Sequence, residues 1–259
     1  MRVPVNTFKA GLASKEPRYG LFVGLPGTSN AEILGAAGFD WLIIDHEHAP
    51  FELADILCYL QALAPYAVAP IVRPVDHNPA LLKKLLDIGV QTLVVPMVDD
   101  AAQAAALVSA LRYPPQGNRG LGASLARAAR WGQVDDYLHT ANAQICLIVQ
   151  AESVAAINNL DDILAVDGVD GVFIGPSDLS ASMGYVGKPE HPDVVETISA
   201  ALQAISAAGK CAGVLSINLD MAAHYQSCGA NFIGVGVDTL LLGNSAAQLA
   251  TTVAKGIES

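Results

Sequence analysis

The chain has 259 residues, of which 52% are hydrophobic and only 15% charged, and its formal net charge is −11. The length suits one large domain spanning residues 1–259, and the apolar fraction is ample for its core. The acidic balance argues against nucleic acid and against an anionic membrane surface, both of which require clustered Lys and Arg.

The first strand signal runs from Tyr19 to Leu25, followed by a helix from Asn30 to Ala37 that Gly38 stops. Trp41 to Asp45 is a second strand, followed by a helix from Glu52 to Ala64. Val68 to Arg73 is the third, with a helix from Asn78 to Ile88 that stops at Gly89. Thr92 to Pro96 is the fourth, with a helix from Asp100 to Leu111. A long connection follows, with a short helix near Val134 to Ala141. Ile145 to Gln150 and Gly171 to Gly175 are the fifth and sixth strands, joined by a helix from Val154 to Ala165. A helix from Asp193 to Ala208, stopped by Gly209, leads to Ala212 to Leu215. Leu219 to Ser227, with Gly229 behind it, leads to Phe232 to Gly236, and Ser245 to Gly256 is the last helix.

Most of these strands are apolar at successive positions, as strands covered on both faces are. The repeated Gly after a helix matches the left-handed C-terminal stop. Eight strands alternating with helices predict an α/β fold of the (β/α)8 (TIM) barrel type. No G-x-G-x-x-G follows the first strand, which disfavours a doubly wound open sheet. No run reaches about 18 apolar residues, so no membrane helix is expected. The opening Met1 to Lys9 lacks a signal-peptide apolar region. Cys58, Cys146, Cys211 and Cys228 form no C-x-x-C pair and read as free thiols of a reducing compartment. A cytoplasmic protein is expected.

In a (β/α)8 barrel, chemistry collects at the C-terminal ends of the strands. Strand 2 ends in Asp45-His46-Glu47-His48, strand 3 in Arg73-Pro74, strand 5 in Gln150-Ala151-Glu152 and strand 6 in Gly175-Pro176-Ser177-Asp178. Glu152 and Asp178 end neighbouring strands, so two anionic oxygen ligands lie side by side. Helix capping would explain either acid alone; the pair suits a hard divalent cation, Mg²⁺ or Mn²⁺ before Zn²⁺. A lone His is often structural, but His48 follows Asp45 by three residues in a strand-end loop and is a candidate general acid/base with Asp45 as its carboxylate partner. His46 is expected to point the other way. Arg73 is placed to stabilise an oxyanion, or alternatively to form a salt bridge. The turn from Gly175 to Ser177 can present N–H groups to a carboxylate. None of the seven lysines ends a strand, which disfavours Schiff-base chemistry. Four of the seven arginines, Arg112, Arg119, Arg127 and Arg130, fall in the long connection and suggest a field for an anionic substrate.

These residues, with Val94-Val95-Pro96-Met97 and Arg112-Tyr113-Pro114-Pro115, resemble the class II 2-oxo-acid (pyruvate) aldolases of the 4-hydroxy-2-oxoheptanedioate aldolase type. The resemblance runs over nearly the whole chain. It implies a barrel whose C-terminal helix swaps between subunits of a hexamer, a trimer of dimers. It implies Glu152 and Asp178 as ligands of Mg²⁺, Mn²⁺ or Co²⁺, His48 with Asp45 as the catalytic pair, and Arg73 on the pyruvate enolate. It sets Gln150, Gly175, Pro176 and Ser177 around the bound oxo acid, and brings Asp87 to the histidine of a neighbouring subunit. His46 departs from the family, which has a small residue such as Gly there.

The implied reaction is reversible aldol cleavage of a 4-hydroxy-2-oxo acid to pyruvate and an aldehyde. Substrates of aromatic or sugar-acid catabolism, such as 4-hydroxy-2-oxoheptanedioate or 2-dehydro-3-deoxy sugar acids, fit it. Either His48 or a metal-bound water moves the C4 hydroxyl proton, and Arg119 and Arg127 are candidates to meet an acidic aldehyde tail. The competing readings are a metal-dependent lyase of acyl-CoA substrates, as in citrate-lyase-like relatives, and a catalytically silent barrel serving as an assembly subunit.

Overall fold

Eight parallel strands close into a barrel in the order of the chain in a computed structural model that describes residues 1–257. They are β1 Arg18–Val23, β2 Trp41–Asp45, β3 Ala69–Arg73, β4 Thr92–Val95, β5 Cys146–Ala151, β6 Gly171–Ile174, β7 Cys211–Leu215 and β8 Phe232–Val237. β8 pairs with β1, so no edge remains. The (β/α)8 expectation holds, and each expected strand is present to within two residues at either end.

Side chains alternate along each strand, and the two rows bury different cores. Leu42, Ile44, Val72, Leu93, Val95, Leu147, Val149, Val172 and Val214 face outward into the layer of helices. Phe22, Trp41, Ile43, Ala69, Ile71, Val94, Cys146, Ile148, Phe173, Cys211 and Phe232 fill the lumen. Trp41 lies 4.4 Å from Phe232, and Phe173 lies 5.5 Å from it, ring centroid to ring centroid. Such bulk fits only because inward positions beside it are glycine. A Cβ on Gly20 would come within 2.2 Å of Trp41, and one on Gly213 within 2.5 Å of Phe173. The floor is closed by a short helix, Thr7–Gly11, that the sequence reading did not contain. Its Phe8 packs edge-on against Phe232 at 5.0 Å.

The glycine stops behave as expected. Gly38, Gly89, Gly209 and Gly229 all have positive φ, between 74° and 110°. Two helices differ from expectation. The span Val154 to Ala165 breaks into Val154–Asn158 and Leu160–Leu164, because Asn159 leaves helical geometry and its amide donates to the Asp99 carbonyl at 2.8 Å. The last helix begins at Asp238, not Ser245, and continues through Gly243 to Ile257. Leu240, Leu241, Leu242, Leu249 and Val253 are exposed along it. Among the described residues no helix is long and apolar enough to cross a membrane.

Candidate active site

Counting in twos along the lumen rows leads from the apolar layers to the site. Trp41 and Ile43 are followed by Asp45, Ala69 and Ile71 by Arg73, Cys146 and Ile148 by Gln150 and then Glu152, and Phe173 by Gly175. Asp45 and Arg73 are direct register partners across β2 and β3. β5 and β6 pair through Ala151 and Ile174, which carries Glu152 alongside Gly175. The apolar layers thus end in a polar one at the C-terminal mouth.

Glu152 is only 2% exposed. Its Oε1 accepts the Met97 backbone N–H at 2.8 Å, and its Oε2 accepts from the Gln150 amide. Met97, just after β4, adopts a left-handed φ of 53°, unusual for a non-glycine residue, and this backbone carries the N–H that meets Glu152. Burial pushes the Glu152 carboxyl up to about 7; the Met97 N–H opposes this, Asp178 and Glu47 add to it, and Arg73 opposes it. Asp178 stands in the first turn of the helix Pro176–Ser182. A buried carboxyl pushed up by burial and by a second acid, Asp178, is a group that a hard cation would relieve. Among the described residues no third His, Cys, Asp or Glu joins such a cluster.

Gly175 has a spatial role here. A Cβ at this position would come within 2.3 Å of Glu152 Oε2 and 3.0 Å of the Gln150 amide nitrogen. Gly175→Ala is expected to displace the Glu152 carboxylate and reduce activity by at least about tenfold, with a loss of only about 1 kcal/mol in stability. Parallel kcat and thermal-unfolding measurements check this; unchanged kcat would show that the carboxylate can shift without consequence.

Arg73 lies over the Phe22 ring, 5.1 Å from its centroid. Its Nε and Nη2 donate to the two Asp45 oxygens at 2.9 and 2.7 Å, and its Nη1 lies 3.0 Å from Glu47 Oε2. Burial opposes its charge, but the Asp45 hydrogen bonds and the charges of Asp45, Glu47 and Glu152 outweigh it and push its pKa further up.

In this geometry the Asp45 carboxylate is turned to Arg73 and not to the His48 ring. Both Asp45 oxygens are taken by Arg73, and Oδ1 also accepts the backbone N–H groups of Glu47 and His48 at 3.1 and 3.3 Å. The carboxylate facing the imidazole is that of Glu47, which the sequence reading passed over; its Oε2 is 3.7 Å from His48 Nε2. The reason is local: residues 46–48 form a turn, so strand alternation no longer separates 47 from 48. Burial pushes the Glu47 carboxyl up, Arg73 and His48 pull it down, and Asp45 and Asp178 add to the rise. His46 donates its backbone N–H to the Arg73 carbonyl at 2.9 Å, while its buried Nδ1 has no hydrogen-bond partner among the described residues.

Asp87 and the loop arginines lie at the other end of the barrel. A helix antiparallel to its strand ends at the floor, and Asp87 is in the last turn of Pro79–Ile88. The long connection joins the end of the helix Ala101–Leu111 to the start of β5, also at the floor. Arg119 is fully buried there, 2.7 Å from Asp87 and stacked 4.4 Å from the Tyr113 ring, and Arg127 donates to the Ile88 carbonyl at 2.8 Å. Within one subunit these arginines do not face the mouth, so the expected contact with an aldehyde tail is not made inside this chain. Lys9 and Lys210 are held at the floor as well, by Asp170 and by the Val169 carbonyl.

A profile of the HpcH/HpaI aldolase/citrate lyase family matches residues 18–245. The chain belongs to this family. It is 54% identical over 250 residues to a hydroxypyruvate/pyruvate aldolase of Pseudomonas aeruginosa, covering 96% of this chain and 93% of that protein. It is 52% identical over 245 residues to a 4-hydroxy-2-oxo-heptane-1,7-dioate aldolase of Escherichia coli, covering 95% and 94%. A crystal structure of a family protein from Burkholderia cenocepacia superposes with a TM-score of 0.92 at 38% identity, over 96% of this chain and all of that one. The resemblance carried by the strand-end motifs is thereby established at the level of the family.

Proposed function

We propose that this chain is a class II aldolase, a carbon–carbon lyase that reversibly cleaves 4-hydroxy-2-oxo acids to pyruvate and an aldehyde. The observation that carries the reading is the buried Glu152 carboxylate beside Asp178, with the Arg73 guanidinium in the same polar layer. Glu152 and Asp178 would hold a divalent cation, Mg²⁺ or Mn²⁺, which would supply Lewis acidity for the enolate when bound. Gln150, Gly175, Pro176 and Ser177 border the oxo acid. His48 takes the C4 hydroxyl proton; the C3–C4 bond breaks, its electron pair passes to C3, and the aldehyde departs. Arg73 shares the negative charge of the pyruvate enolate until C3 takes a proton from water, and His48 gives up its own proton to water, which returns the site to its starting state. In the reverse direction His48 returns the proton to the new alkoxide.

A second subunit completes the assembly. The leucines exposed on the helix Asp238–Ile257 are covered by a neighbour that exchanges this helix, in a hexamer built as a trimer of dimers. Asp87, remote from His48 in its own chain, reaches the histidine of the adjoining subunit. Two of the relatives above 50% identity carry aldolase names with different substrates, which favours a permissive aldehyde site over an acyl-CoA one.

The test is pyruvate release from a 4-hydroxy-2-oxo acid before and after chelation. Chelator is expected to abolish release and added Mg²⁺ or Mn²⁺ to restore it. Release indifferent to chelator overturns the metal role, and release only from acyl-CoA substrates favours the citrate-lyase-like alternative.

A further inference from the structure

The two acids of Asp45-His46-Glu47-His48 have different partners. The Asp45 carboxylate grips Nε and Nη2 of Arg73 and accepts two backbone N–H groups. Glu47, with a side chain 15% exposed, directs one oxygen at two functional groups: Oε2 lies 3.0 Å from Arg73 Nη1 and 3.7 Å from His48 Nε2. That oxygen is buried and makes no aligned hydrogen bond, so its tie to the guanidinium is electrostatic, and the imidazole stands just beyond hydrogen-bond distance from it.

The His48 side chain is 65% exposed, and an imidazole so open to water samples several rotamers unless something holds it. We propose that Glu47 is a positioning residue that yokes the His48 imidazole to Arg73. It holds the proton-transferring ring at a set offset from the guanidinium that meets the enolate. The inference rests on the roles given above to His48 and Arg73. Neutralising Glu47 leaves the Asp45–Arg73 fork in place, so the loss passes through His48 and not through oxo-acid binding. The rival role is added metal holding, because Glu47 shares an electrostatic neighbourhood with Glu152 and Asp178.

The experiment compares full-length wild type, Glu47→Gln, His48→Asn and the double variant. Pyruvate release from a 4-hydroxy-2-oxo acid gives kcat and KM, and the free-ion EPR signal gives Mn²⁺ affinity. Glu47→Gln is expected to lower kcat about 10- to 100-fold, with KM within about threefold and Mn²⁺ affinity within about twofold. In the His48→Asn background the same change is expected to cost less than about twofold. An equal loss in both backgrounds overturns the proposal, as does unchanged kcat, and a tenfold weaker Mn²⁺ affinity assigns Glu47 to the metal instead. If Glu47→Gln does not fold, Glu47→Asp, which shortens the reach to His48, is expected to give the same pattern and is judged by the same outcomes. A fully active His48→Asn or a wild type indifferent to chelator overturns the underlying reading, and each is visible separately.

Discussion

Replacing Glu152 with Gln is expected to abolish metal-dependent cleavage and to change how the metal-free protein responds to pH. In the folded chain burial raises this carboxyl to about 7, from an ordinary value of 4.5. A group whose folded pKa is raised contributes stability that is fully present below its unfolded pKa. That stability is lost as pH rises through the folded value. The chelated wild type should therefore lose stability between about pH 4.5 and about pH 7, by as much as about 3 kcal/mol. Added Mg²⁺ or Mn²⁺ needs the ionised acid, so it should bind more tightly over the same window and offset the loss. In Glu152→Gln that component of the slope and the metal-induced rise in Tm should both disappear, and kcat should fall by at least about 10³. Thermal unfolding from pH 4.5 to 8, with and without chelator, checks each part. An identical slope in the variant would mean that another acid carries it.

The barrel was legible because each strand is buried on both faces, which leaves runs such as Trp41 to Ile44 and Ile145 to Val149 with no polar position. The strand-end acids stood out for the same reason, being the first ionisable groups after an apolar row. The illegible parts begin where period-two alternation stops. The turn at 46–48 made Glu47 the neighbour of His48, and no spacing rule reports that Arg73 would take both oxygens of Asp45. Asn159 breaks a helix through a tertiary hydrogen bond to Asp99, and Gly243 fails to break one in spite of its local propensity. The floor position of Arg119 and Arg127 was implied by chain direction, since a connection from a helix to the next strand lies opposite the mouth. Their concentration in an acidic chain is a charge signal that carries no information about which end of the barrel it occupies. Asp87 shows the limit of a single chain: here it neutralises buried Arg119, and any contact with a histidine requires a second subunit.

Arg73→Ala is expected to give the largest combined loss of activity and stability. The guanidinium sits between Asp45 and Glu47, with all three side chains at or below 15% exposure. Removing it leaves two buried carboxylates facing each other near Glu152, a cost of about 3–5 kcal/mol for breaking such a pair. In the proposed mechanism the same change also removes the donor that shares the enolate charge, worth about 10²–10³ in kcat for groups of this kind. The two effects separate with Arg73→Lys. An ammonium restores the charge, so most of the stability should return. It lacks the planar fork that meets both Asp45 oxygens through Nε and Nη2 while Nη1 faces Glu47, so kcat should stay at least about tenfold low. Exchange of the pyruvate methyl protons with D₂O isolates the enolate step from aldehyde binding. It should slow in both variants by a factor similar to kcat. Cleavage lost with exchange intact would move Arg73 from the enolate to the aldehyde side of the reaction. An Arg73→Lys variant as active as wild type would show that charge alone, without the fork that β2 and β3 build by pairing Asp45 with Arg73, suffices for the chemistry.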